Sequence, residues 1–146
     1  MSTDSKKKVL FLCMGNSCRS QMAEAIVNVQ LGDEWQAYSA GIKPAGYVHP
    51  LALRVLEEIG IRHAGHSKSP EVFLSTRFDL VITVCDPAAE SCPVWLRSGK
   101  VIHFPLEDPA QVLGDEEEQL AAFRSIRDQI MDELPGVMTA AFNQPS

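Results

Sequence analysis

The sequence predicts an α/β protein: a three-layer sandwich whose four-stranded parallel sheet carries helices on both faces. Three observations lead there. The apolar runs "KVLFLC" (8–13) and "DLVITVC" (79–85) are continuous rather than alternating, as in strands covered on both sides. Segments with apolar residues at helical spacing separate the strand candidates, the pattern of a parallel sheet with crossover helices. No repeat, low-complexity tract or linker divides the 146 residues, so residues 1–146 are expected to form one domain around one core, with 1–7 flexible.

The elements follow in order. After the first strand, Met22, Ile26 and Val29 recur at helical spacing, and Gly32 suits the stop. "EWQAYSAG" (34–41) reads as a second strand. "HPLALRVLEEIG" (49–60) reads as a helix with Pro50 in its first turn, Leu51, Val55 and Ile59 on one face, and Gly60 beyond its end. A short helix is expected from Pro70. "DLVITVC" and "KVIHF" (100–104) are the third and fourth strands. "DEEEQLAAFRSIRDQIMDEL" (115–134) places acids in a first helical turn and Leu120, Phe123, Ile130 and Leu134 in an apolar stripe, with Pro135 expected to interrupt it.

Composition excludes several roles. Thirteen Lys and Arg against nineteen Asp and Glu give a net charge of −6, which argues against a general nucleic-acid or anionic-membrane binder. Any anion site must be built locally, against the overall field. Lysines 6–8 before an apolar run imitate a signal peptide, but the run is too short and leads into Asn16, Ser17 and Arg19 instead of a cleavage site. No stretch approaches transmembrane length. A cytoplasmic monomer is expected.

The densest chemistry lies in Cys13-Met14-Gly15-Asn16-Ser17-Cys18-Arg19-Ser20, which joins a strand end to a helix start. Gly15 permits a tight turn and Asn16 tolerates left-handed backbone angles. A loop wrapped around a helix start aims several backbone N–H groups at one tetrahedral anion, and Arg19 adds a two-pronged donor. The same positive surroundings favour the Cys13 thiolate beneath that anion, a site for attack at its central atom. A buried structural cysteine with a surface arginine is the plain alternative; the strand-loop-helix context with Gly15, Asn16 and Ser20 outweighs it.

Cys85 ends the third predicted strand and so shares a sheet edge with Cys13. Cys92 follows in "CDPAAESCP". Asp86 suits an N-cap, Pro87 the first helical position, and Pro93 a stop, which predicts about two helical turns. Seven residues along a helix rise about 10.5 Å, beyond the roughly 7 Å that a disulfide allows. A bond between these thiols therefore requires the short helix to unwind, and such a helix is cheap to melt. Inert core cysteines and a zinc site with His103 are competing readings, as is a secreted disulfide framework, which the absence of a secretion signal disfavours. Cys18 either bonds Cys13 as a protective disulfide or supports the loop, the favoured role. His63 and His66 are assigned to a solvated loop, with no metal site. "FPLEDPAQ" (104–111) offers Glu107 and Asp108 in a loop after the fourth strand.

The stretch "CMGNSCRSQMAEA" closely resembles the phosphate-binding loop of the low-molecular-weight protein tyrosine phosphatase superfamily, and its "SCRSQMAEA" part resembles the thioredoxin-coupled arsenate reductase branch. The resemblance covers nearly the whole chain, through "YSAG", "VITVCDPAAESCP", "PLEDPA" and "FRSIRDQI" in order. It implies a flavodoxin-like strand topology, Cys13 as nucleophile, Arg19 as oxyanion-binding residue and Asp108 as general acid. It also implies a three-cysteine relay: a transient Cys13–Cys85 disulfide, then a redox-active Cys85–Cys92 disulfide recycled by thioredoxin. Arsenate is the implied substrate, with phosphate or sulfate as competing anions and no cofactor.

The phosphatase branch follows its Asp-Pro pair with aromatic residues that flank a phosphotyrosine ring; Ala110 and Gln111 stand here instead, favouring a small inorganic anion. Some reductases of the family bind potassium beside the loop through counterparts of Asn16, Glu24 and Ser39 and an aspartate near 68. Lys68 is assigned to that last position, and its ammonium replaces the need for potassium. Two alternatives compete with the reductase: a phosphatase working through a Cys13 phosphocysteine, and a non-enzymatic oxyanion-binding redox sensor.

Overall fold

The computed structural model describes residues 6–90, 92–93, 96 and 99–143. Its elements are β1 (Lys7–Cys13), α1 (Arg19–Gln30), β2 (Trp35–Gly41), α2 (Pro50–Glu57), β3 (Leu80–Thr83), α3 (Asp86–Glu90), β4 (Lys100–His103) and α4 (Glu116–Asn143), with 3-10 turns at Pro70–Phe73 and Pro109–Gln111. The strands form one parallel sheet in the order β2-β1-β3-β4. Val9, Leu10, Phe11 and Leu12 are all fully buried, which is why β1 reads as an unbroken apolar run. The chain steps from β1 to β2 in one direction and from β3 to β4 in the other. Right-handed crossovers then put α1 and α3 on opposite faces of the sheet. Helices α1, α2 and α4 pack on one another.

This order creates a crevice where β1 and β3 lie side by side but connect away from each other, the place where open α/β sheets bind ligands. Register aligns the carboxyl ends along one edge: Cys13 opposite Gly41, Leu12 opposite Thr83, and Thr83 opposite His103.

Several boundaries differ from expectation. Lys7 already belongs to β1, its N–H donating to the Glu34 carbonyl at 3.0 Å; the flexibility assigned to 1–5 lies outside the described residues. Helix α2 stops at Glu57, and Gly60 closes the turn with φ of 80°. Helix α4 runs through Pro135 to Asn143. The proline costs a helical hydrogen bond, but Leu134, Met138 and Ala141 continue the buried stripe beyond it, and their packing outweighs that loss. No helix of the described residues is long and apolar enough to cross a membrane.

Candidate active site

The loop between β1 and α1 is built by turning its carbonyls outward. The carbonyls of Cys13, Met14 and Gly15 accept from the N–H groups of Ile42 (3.0 Å), Lys43 (2.9 Å) and Ala45 (2.8 Å). Asn16 O accepts from Gln21 Nε2 at 3.1 Å, and Ser17 O from the His49 N–H at 2.9 Å. Cys18 O accepts from Met22 N at 2.9 Å within the first turn of α1. In a trans peptide the C=O and the following N–H point oppositely. The N–H groups of Gly15, Ser17, Cys18 and Arg19 therefore face inward, around a cavity of about 220 Å³ lined by residues 13–19, Asp108 and Ala110.

Asn16 is the residue that bends this loop. It is fully buried with φ of +51°, the left-handed angle its side chain tolerates, whereas Gly15 is not in the left-handed region. The end of β2 must also be glycine. A Cβ on Gly41 would stand 2.7 Å from Met14 O and 2.8 Å from Asn16 N. A glycine ending a buried strand beside a loop is the sequence signal of such a close approach.

Cys13 is 2% exposed, and two donors converge on its sulfur. The Asn16 N–H lies at 3.2 Å and Ser20 Oγ at 2.9 Å. The direction of the second bond follows from its neighbours. The Lys68 N–H donates to Asn16 Oδ1 (3.0 Å), so Asn16 Nδ2 is the end that donates to Ser20 Oγ (2.8 Å). The one hydroxyl hydrogen of Ser20 is thereby free to point at the Cys13 sulfur. The thiol at the strand end is thus held by a chain of two polar side chains, Ser20 and Asn16, anchored on the Lys68 backbone N–H.

Arg19 opens α1 and is mostly buried. Nη1 donates to Leu106 O at 3.1 Å, and Nη2 lies 3.7 Å from Asp108 Oδ2. Asp108 caps the 3-10 turn at Pro109, its Oδ1 accepting from the Ala110 N–H at 3.0 Å. The guanidinium and the carboxylate thus meet at the mouth of the cavity.

Cys85 lies two residues past the end of β3, not within it, and takes the capping place at α3 that sequence assigned to Asp86. Burial pushes its thiol up, opposed by hydrogen bonds from the Ala88 and Met14 N–H groups and by the Arg19 charge, while Cys13 adds to the rise. It lines a second cavity of about 400 Å³ that shares Met14 and Arg19 with the first. Helix α3 spans only Asp86–Glu90, shorter than the expected two turns, so helical rise accounts for just part of the path between Cys85 and Cys92. Residue 91 lies outside the described residues; Cys92 is buried beyond it. Cys18 is buried beside Ser17 Oγ, and desolvation pushes its thiol up to about 11. Cys13, Cys18 and Cys85 are free thiols.

Behind the loop, Ser39 Oγ donates to Glu24 Oε1 at 2.6 Å. Burial lowers the Lys68 ammonium and the charge of Glu24 raises it, while Lys68 Nζ donates to His66 O at 2.9 Å. His63 lies half-buried in an irregular loop whose residues Arg62, Ala64 and His66 are exposed. It is hydrogen-bonded at 2.7 Å to Gln21, to which the sequence assigns no role. A buried glutamine one turn into an otherwise apolar helix face was the missed signal.

A loop with a thiol at its base and an arginine at its rim, carried on a parallel sheet of order 2-1-3-4, defines the class of the fold as α/β phosphatase-like. The chain belongs to the low molecular weight phosphotyrosine protein phosphatase family, whose pattern matches residues 8–144. Among curated relatives, the arsenate reductase of Halalkalibacterium halodurans is 45% identical over 126 residues, covering 86% of this chain and 90% of the relative. A solved arsenate reductase in its phosphate-binding state superposes with a TM-score of 0.77 at 31% identity, covering 92% of this chain and 98% of the other. A thioredoxin-dependent arsenate reductase of Corynebacterium glutamicum gives 0.69 at 26% identity, covering 95% of this chain and 65% of that longer one.

Proposed function

We propose that the protein reduces arsenate to arsenite through Cys13, Cys85 and Cys92 and is reset by thioredoxin. The observation that carries this reading is the second thiol: Cys85 is held by the Met14 N–H against the wall that also closes the anion cradle. A phosphatase needs only Cys13, Arg19 and Asp108. The names of the relatives support the substrate, and the Corynebacterium neighbour supports the reductant.

Arsenate sits on the inward N–H groups and Arg19. Cys13 sulfur attacks arsenic, and Asp108 gives its proton to the departing oxygen, which leaves as water. Cys85 then attacks the Cys13 sulfur. The sulfur–arsenic electron pair goes to arsenic, which leaves as arsenite, two electrons richer, and a Cys13–Cys85 disulfide forms. Cys92 attacks Cys85, Cys13 departs as thiolate, and a Cys85–Cys92 disulfide results. Two thiols of thioredoxin reduce that bond. A cycle that must return to free thiols suits a reducing cytoplasm. Ala110 and Gln111, in place of aromatic residues directly after Pro109, support an inorganic anion over an aryl phosphate.

The test is NADPH consumption with arsenate, thioredoxin and thioredoxin reductase. Steady turnover is expected, lost in Cys92→Ser while any phosphoester hydrolysis survives. Turnover of a phosphoester with none of arsenate would replace the reductase by a phosphatase, and absence of both would leave a redox sensor.

A further inference from the structure

Gln21 is fully buried behind the cradle. Its Nε2 donates to Asn16 O at 3.1 Å and to His66 O at 3.0 Å. Both partners are carbonyls, so this end of the amide is the nitrogen, and Oε1 needs a donor of its own. His63 Nε2 supplies it at 2.7 Å; because an amide oxygen only accepts, the imidazole carries its proton on Nε2.

Independently, the chain leaves room for this contact. A Cβ on Gly65 would come within 2.3 Å of His63 Nε2 and 2.4 Å of Gln21 Oε1. Gly65 is not among the glycines with positive φ, so crowding by the bridge, not backbone angle, is what a side chain there would violate.

We propose that His63 is a positioning residue for oxyanion binding: through Gln21 it holds the Asn16–Ser17 peptide with its N–H turned into the cradle. The proposal rests on the reading of residues 13–19 as an anion cradle and is indifferent to whether the anion is reduced or a phosphoryl group is transferred. Asn16 is in a left-handed conformation that costs energy, so the peptide following it needs a restraint. Without His63, the Gln21 oxygen is a buried acceptor with no donor. The amide then turns toward water and releases Asn16 O, and the Ser17 N–H is no longer aimed. Burial holds His63 below its ordinary value; Glu24 raises it and Lys68 lowers it further. The ring therefore acts as a neutral donor. Loss of one hydrogen bond to a charged acceptor weakens anion binding about tenfold.

The probe is inorganic phosphate, read as protection of Cys13 from iodoacetamide by mass spectrometry of the Cys13 peptide. In the wild-type protein phosphate protects; no protection there would remove the cradle reading itself. In His63→Ala and Gly65→Ala the half-protecting concentration rises about tenfold, and His63→Gln, which restores an N–H donor, returns within about threefold of wild type. With arsenate as substrate, KM rises while kcat changes by less than about threefold, the pattern of lost binding. Wild-type protection and KM in both His63→Ala and Gly65→Ala would overturn the proposal. If those variants do not fold, solvent exchange of the His63 Nε2–H in the wild-type protein decides by NMR. Phosphate slows it if His63 serves the cradle, and unchanged exchange overturns the assignment.

Discussion

Asp86 Oδ1 lies 3.0 Å from His103 Nε2, joining the first residue of α3 to the last residue of β4. The histidine is fixed on its other side, with Nδ1 2.7 Å from Thr83 Oγ1 and 3.0 Å from Thr83 O. The bond pins the start of the segment between Cys85 and Cys92, the two thiols that the proposed relay joins.

The first prediction concerns that pin. Asp86→Ala should speed closure of the Cys85–Cys92 disulfide by about threefold, the scale of a surface pair worth a fraction of a kcal/mol. Rapid quenching with alkylation of free thiols measures it. Closure at the wild-type rate would show that the pair restrains nothing.

Asp108 and Arg19 oppose each other across the cavity mouth at 3.7 Å. Asp108→Asn should lower kcat by about a hundredfold through loss of the proton donor. The same change removes a negative charge beside the anion, so phosphate should inhibit more tightly. Steady-state kinetics with phosphate as inhibitor tests both parts, and weaker inhibition would show that the carboxylate does not oppose anion binding.

Cys18 is buried with its thiol pushed up to about 11, so it is protonated at neutral pH. Iodoacetamide at pH 8 should label Cys13 and leave Cys18 untouched in the native protein. Labelling of Cys18 before Cys13, read by mass spectrometry, would contradict the supporting role assigned to it.

Glu58 ties α2 to α4. It accepts from Arg124 Nε and Nη2 at 2.9 and 2.7 Å and from Arg127 Nη1 at 2.8 Å, which holds its carboxyl down at about 2 instead of 4.5. The folded value lies below the unfolded one, so the stabilisation is complete above about pH 4.5 and is lost as pH falls toward 2. Glu58→Gln should lower the urea midpoint at pH 7 and flatten its decline below pH 4.5. An unchanged midpoint at pH 7 would mean the network contributes nothing.

The strands were legible because β1 and β3 are buried on both faces and leave continuous apolar runs. The loop was legible because Cys13, Asn16, Arg19 and Ser20 fall within eight consecutive residues. What lay across the fold was not. The bond from His63 to Gln21 spans 42 positions, and that from Lys68 N to Asn16 Oδ1 spans 52; no local pattern encodes either. Pro135 misled for a related reason: its local penalty is visible in sequence, while the tertiary packing of Met138 and Ala141 that offsets it is not.

The carbonyls of Cys13, Met14, Gly15 and Ser17 are all gripped by backbone N–H groups from residues 42–49, a stretch that holds none of the reacting groups. That stretch is a splint, and it keeps the amides aimed before any anion arrives. The anion capture proposed for this loop then requires little reorganisation, and the affinity of the site is written largely into a segment that does not line it.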